Sequence, residues 1–355
     1  MALSPAVAQS EIERRGRKQK EACCAERKPA MLTLAVPYGN APSWCFLFTE
    51  LSVFTLTIGC LIHAWKRRNG ALAYLLGGII FGSLVEYLEV LSGSYTYDRF
   101  WLMLGHAPLD IPLFVGCAWA IILYTARLFS DAAGLPLFAA AALDALLALN
   151  IDMSMDTVAY RMHFWNWDWS GTGRNPLTAD WFGIPYGNFV GWITVVFSYS
   201  IISRLLERRL LCERRTAIHV WSIPALTTIL SLGVLFSSEM FLFPSLNHLG
   251  IKSEPRLVIL TVLLLVVTLR GWSQHRPLAE EMHPLARWVP GWFHFFFVYC
   301  FFAIGFFREN KWMTIAACLN LLIGIAVHRA PVRSRLGSSE PEADNQSATA
   351  SMLPE

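Results

Sequence analysis

Charge is scarce in this chain: Asp, Glu, Lys and Arg make up only 15% of its 355 residues, against 55% hydrophobic ones. The few charges gather in the first 30 residues, in short connections and in the tail after Arg329. That distribution excludes an ordinary soluble core and is the composition of a multi-span membrane protein. The formal net charge of +3 is small and unclustered apart from the N-terminal tail, which argues against nucleic acid as a partner. CxxC pairs are absent. Of the eight cysteines, Cys23 and Cys24 are adjacent and the others fall singly, mostly in apolar segments, so neither a disulfide framework nor a zinc site is indicated. HExxH, GxSxG, a Walker loop and a strand-to-helix GxGxxG are also missing. Glu86-x-x-Glu89 lacks the ExxH partners of a di-iron bundle. No metal and no cofactor is expected.

Long apolar runs dominate instead. Segments able to cross about 30 Å at about 20 residues each occupy residues 44–65, 70–92, 109–130, 135–155, 185–203, 217–240, 256–271, 290–307 and 312–329. The expected fold is an all-α polytopic integral membrane helical bundle of eight or nine transmembrane helices, the seventh and ninth runs being the shortest. Their continuous apolarity excludes a sheet barrel. The expected layout is a polar, basic N-terminal tail over 1–40, a membrane domain over 41–330 and a polar C-terminal tail over 331–355, both tails disordered. No secretory signal and no internal repeat is evident. Lys66, Arg67 and Arg68, the Arg204–Arg215 cluster, Arg270, Arg276 and Arg287, and Arg329, Arg333 and Arg335 mark one set of helix ends as cytoplasmic. The basic N-terminal tail conflicts with that count, a conflict that a start at Met31 would remove.

The informative residues are the acids inside these runs. A charge at the centre of a span costs about 2.5 to 3.5 kcal/mol on insertion scales, so each is a functional candidate by default. Because spans alternate in direction, Glu50, Glu86, Glu89, Asp110, Asp152, Asp156 (just beyond the fourth run), Asn188 and Glu239 fall in one half of the membrane, with Asp144 more central. Glu86 and Glu89 lie about 60° apart on their helix, and Asp144, Asp152 and Asp156 span an arc of roughly 120°. Carboxylates gathered in a dry pocket repel one another, so at least one is expected to hold its proton near neutral pH and to serve as a general acid.

Each feature also has a plainer reading. Intramembrane acids can hydrogen-bond across helices, and the Trp165, Trp167, Trp169, Trp181, Tyr95 and Tyr97 side chains can form an interfacial belt. The Gly78/Gly82 and Gly187/Gly191 spacings suit close helix packing. His106 and His163 have no partner at ligand spacing.

The order of motifs resembles the membrane-embedded carotenoid biosynthesis family that includes a hydratase of the bacterioruberin pathway. The resemblance covers roughly residues 80–200. It is carried by Glu86 and Glu89 ahead of Ser94-Tyr95-Thr96-Tyr97, by Ile111-Pro112-Leu113 with Trp119, by Asp144, and by Ile151-Asp152 with Val158-Ala159. Trp165-Asn166-Trp167 and Gly183-Ile184-Pro185 before Asn188-Phe189-x-Gly191-Trp192 complete it. The chain departs from the family pattern at Asp152-Met153, where Asp-Pro is expected, and at Trp181-Phe182. The resemblance implies hydration of a terminal carbon–carbon double bond in an apolar isoprenoid or carotenoid drawn from the bilayer. Asp152 or Asp144 would then be the acid and Glu86 or Glu89 would orient water. Tyr95, Tyr97, Trp119, Trp165, Trp167, Asn188 and Trp192 would line the substrate. Cyclisation and isomerisation share the protonation step, and a proton-coupled transporter would use the same carboxylates as a pathway.

Overall fold

The computed structural model describes residues 41–68, 70–210, 216–273 and 282–329. Both expected tails lie outside these residues, as do Arg214, Arg215, Arg276, Arg333 and Arg335. Among the described residues, nine long helices occupy the nine apolar runs: α1 (Trp44–Arg67), α2 (Ala71–Ser92), α3 (Leu113–Ala132), α4 (Leu137–Arg161), α5 (Tyr186–Leu210), α6 (Ala217–Ser237), α8 (Ser253–Ser273), α9 (Leu285–Ile304) and α10 (Lys311–Arg329). The short α7 (Phe243–His248) continues α6 through a π-helical turn, Ser238–Leu242. Among the described residues, eight helices are long and apolar enough to cross a membrane. The long helix outside that set, α9, carries Arg287, Pro290 and His294 in an aromatic sequence. The chain is a multi-pass, all-α membrane protein.

Proline and glycine set many of the boundaries. Pro112, Pro136 and Pro284 stand immediately before α3, α4 and α9, where a missing N–H costs nothing. Gly93, at φ 82°, ends α2 and returns its N–H to Glu89 and Val90, a left-handed cap that a residue with a Cβ adopts only at a cost. The structure differs from the sequence expectation at the end of the fourth run. No breaker follows Met155, and α4 continues to Arg161, so Asp156 lies inside the helix, one turn beyond Asp152. Asp110 in turn precedes α3.

α3 and α4 form the centre. In its most apolar stretch α3 is 83% buried, whereas α6, α8 and α10 are 28% buried there and face outward. Between helices that already sit in lipid, close packing supplies the attraction. Gly78 and Gly82 of α2 provide it against α3: a Cβ on Gly82 would stand 2.3 Å from the Trp119 Cβ, and one on Gly78 3.2 Å from the Ala120 Cα. Gly191 has open space beside it instead, so the second glycine pair does not serve that purpose.

The connections at one end of the bundle are built, not loose. β1 (Tyr95–Tyr97) follows α2, and β4 (Trp165–Trp167) follows α4. They pair antiparallel with Tyr95 opposite Trp167 and Tyr97 opposite Trp165. β2 (Met103–Leu104) and β3 (Ile111–Pro112) form a second small ribbon. Glu50 of α1 anchors this end by accepting the backbone N–H groups of Trp101 and Leu102 at 2.9 and 2.8 Å.

Candidate active site

Residues two apart on a strand share a face, so the β1–β4 ribbon turns Tyr95, Tyr97, Trp165 and Trp167 together toward the helix ends. Below them lies a small cavity of about 50 Å³, room for a few waters. Its polar lining is Thr49, Glu86, Tyr95, Tyr97, Asp156 and Asn188, set among Trp119, Trp165, Trp167, Trp192 and the phenylalanines Phe293 and Phe297.

Glu86 is 6% exposed and accepts three side-chain hydrogen bonds. Tyr95 and Tyr97 both donate to its Oε2, and the Trp119 indole N–H donates to Oε1 at 2.6 Å. Burial, with the Glu86 carboxylate close by, holds both ribbon phenols well above the usual phenol range, so each remains an O–H donor. Trp119 also stacks on Trp192, with ring centroids 4.0 Å apart, and Tyr95 packs against Trp167 at 4.6 Å. The packing that permits Gly82 to touch Trp119 thus also aims the indole at Glu86.

Across the cavity, Asp152 and Asp156 lie one turn apart on α4. Asn188 of α5 bridges them: its Nδ2 donates to Asp152 Oδ2 at 3.0 Å and to Asp156 Oδ2 at 2.7 Å. Asp152 is fully buried, and its Oδ1 has no hydrogen-bond partner among the described residues. Pro185 precedes α5, and Asn188 falls in its first turn, at the end of α4 where Asp156 stands. Two buried carboxylates on a single amide nitrogen, facing a third carboxylate through an aromatic chamber, form an acid–base arrangement of the kind found at catalytic sites.

The expected site residues divide into two groups. Glu86, Tyr95, Tyr97, Trp119, Trp165, Trp167, Asn188 and Trp192 line this cavity, and Asp152 stands behind the lining, bonded to Asn188. Asp144 and Glu89 lie apart from it. Asp144 accepts from Arg204 at 2.9 Å and from Ser200 at 2.6 Å, two turns down α4 from Asp152, about 12 Å along the axis. Glu89 is bound by Ser94 at 3.2 Å and is absent from the cavity lining. Asp156 was legible on one arc with Asp152 and Asp144, though placed just beyond the fourth run; what the sequence did not show is that Asn188 joins it to Asp152. Phe293 and Phe297 carried no signal at all, since an aromatic residue in an apolar run is unremarkable in sequence.

A family model described as "Carotenoid biosynthesis protein" matches residues 45–252. That span is more than half of the chain and contains every polar residue of the cavity. The chain belongs to the carotenoid biosynthesis protein family. No curated protein and no solved structure matches it. Within this carotenoid biosynthesis protein the match ends just before α8, so Phe293 and Phe297 enter the chamber from α9, outside the matched region.

Proposed function

We propose that this carotenoid biosynthesis protein hydrates a terminal carbon–carbon double bond of an acyclic carotenoid or related isoprenoid within the membrane. The observation that carries the reading is the Asp152–Asn188–Asp156 bridge facing Glu86 across an aromatic chamber. An isolated trisubstituted double bond is a weak base, so its hydration needs a positioned proton donor, protection for a tertiary cation and a placed water.

The Asp152–Asp156 pair holds one proton between its two carboxyls, with Asn188 fixing their orientation. Asp156, which lines the cavity, delivers that proton to the less substituted alkene carbon. The π electrons form the new C–H bond and leave a tertiary cation. The faces of Trp165, Trp167 and Tyr97 stabilise this cation, each worth about 2 kcal/mol in a desolvated site. Glu86, held in place by its three donors, faces the positive charge and orients the water. Water oxygen attacks the cation, and the proton it loses returns to the aspartate pair, which restores the starting state. No redox step or cofactor is required by this sequence. Membership in a carotenoid biosynthesis family favours it over ion transport by the same carboxylates.

The test is expression in cells that accumulate acyclic carotenoids, with pigments analysed by liquid chromatography and mass spectrometry. The expected product is heavier by one water and disappears in Asp152→Asn and Asp156→Asn. Unchanged pigments, with the protein present in the membrane, would overturn the reading. A cyclised or isomerised product of unchanged mass would retain the protonation step and replace the water.

A further inference from the structure

A second cavity lies beside the first and is much larger. About 1160 Å³ opens between α1, α9 and α10, lined mainly by aromatic and aliphatic groups including Phe48, Trp288, Trp292, Phe296 and Leu321. The two spaces share their walls. On α9, Phe293 and Phe297 face the small chamber, while Trp292 and Phe296 line the large groove. On α1, Thr49 faces the chamber and Phe48 the groove. The rings along the groove lie nearly parallel: Trp292 on Phe296 at 5.0 Å and 6°, and Phe48 on Phe296 at 5.4 Å and 29°. Among the described residues, no carboxylate lines the groove. Arg287, His328 and Arg329 stand at the end away from the chamber.

We propose that this groove binds the body of the linear polyene whose terminal double bond enters the small chamber, with Phe296 and Phe297 forming the wall that parts to admit it. The proposal takes its substrate class from the hydratase reading above. The chamber holds only a few waters, so the rest of a long substrate must lie elsewhere. Flat, parallel aromatic faces match a conjugated chain, and the groove is the large apolar space that abuts the chamber. From Arg287 to Phe297 the α9 wall runs ten residues, about 15 Å, roughly half the hydrocarbon thickness of a bilayer. The polyene therefore lies along the helices, with its reactive end at the aspartate pair and its middle against Trp292 and Trp288. The basic far end is where a phospholipid headgroup would sit, so phospholipid is the rival occupant.

Gly291 lines the groove, and a Cβ there meets no atom within 4 Å; Gly291→Phe is the variant that adds a ring on this wall. Leu321→Trp fills the groove from α10 and serves if the first variant does not fold. The full chain is purified from lycopene-accumulating cells into phosphatidylcholine nanodiscs. Lycopene and its hydrated products retained per protein, summed, and quenching of tryptophan emission are then read. Wild type is expected to retain this polyene total, the filled variants about tenfold less, and Asp152→Asn as much as wild type, all of it lycopene. The last result keeps the groove distinct from the chemistry, because binding is read whether or not water is added. Retention of phospholipid without lycopene, a wild-type dimer that covers the groove, or filled variants that bind lycopene normally would each overturn the proposal.

Discussion

Arg204 Nη2 lies 2.9 Å from Asp144 Oδ2, and this pair keeps Asp144 away from the candidate chemistry. Arg204 also bonds Asp131, Ser130 and Ser200, and Arg127 pairs with Glu207 through two hydrogen bonds of 2.8 and 2.5 Å. The network ties α3, α4 and α5 at the end of the bundle opposite the chamber. Removing one member of a buried pair strands the other, at a cost of about 3 to 5 kcal/mol. Arg204→Met and Asp144→Asn are each expected to lower the melting temperature in detergent. Arg204→Met combined with Asp144→Leu should recover part of the loss, and a melting temperature unchanged in either single variant would contradict the assignment.

Glu86→Gln preserves shape but removes the carboxyl group that faces the cation, and it places an amide N–H₂ where three donors converge. Hydration is expected to fall by about 100-fold or more, within the range of a lost acid–base group. Tyr97→Phe removes one of the three donors. A hydrogen bond to a charged group is worth about 1.5 to 3 kcal/mol, so a loss of roughly 10- to 100-fold is expected. Product formed per membrane-inserted protein in the polyene-accumulating host reads both variants, and full activity in Glu86→Gln would remove Glu86 from the mechanism.

The helices and the half of the membrane holding the site were legible because both follow from quantities that sequence carries directly. Apolar run length sets the spans, and counting alternating spans puts Glu86, Asp152 and Asn188 at one end. Facing direction was less accessible. The 120° arc on α4 allowed Asp144 to join Asp152, yet 12 Å of helix axis and the Arg204 guanidinium separate them. Arg204 read as a cytoplasmic marker in a basic cluster, although its side chain reaches back along α5 to a buried acid. The β1–β4 ribbon was hidden for a different reason: a three-residue strand pair is fixed by tertiary register, and Tyr95, Tyr97, Trp165 and Trp167 alone suit an interfacial belt equally well.

Gly82→Ala tests whether Trp119 is held by the close approach of α2 and α3. The new methyl would stand 2.3 Å from the Trp119 Cβ, so the helices must separate or the indole must turn away from Glu86. Overpacking of this kind costs about 1 to 3 kcal/mol. A lower melting temperature together with reduced product is expected. Gly191→Ala, where the space is open, should show neither, and equal effects at the two positions would refute the packing argument.

Arg161 joins the loop before α5, next to the candidate site, to the C-terminal helices. Its Nε donates to Glu309 at 2.7 Å with both side chains buried. Its Nη1 donates to the Phe182 carbonyl at 2.8 Å and its Nη2 to the Leu177 carbonyl at 3.1 Å. One guanidinium therefore connects the end of α4, the loop before α5 and the turn between α9 and α10. Arg161→Met leaves a buried carboxylate and two loop carbonyls without their donor, so a loss of about 3 to 5 kcal/mol is expected. Glu309→Gln keeps a hydrogen-bond acceptor and should cost less. The measurement is hydrogen exchange of the 175–185 backbone in detergent or nanodiscs: Arg161→Met should speed exchange there and at 305–310 together, because both segments depend on the same side chain. Faster exchange in one segment with the other unchanged would mean that Arg161 does not couple them.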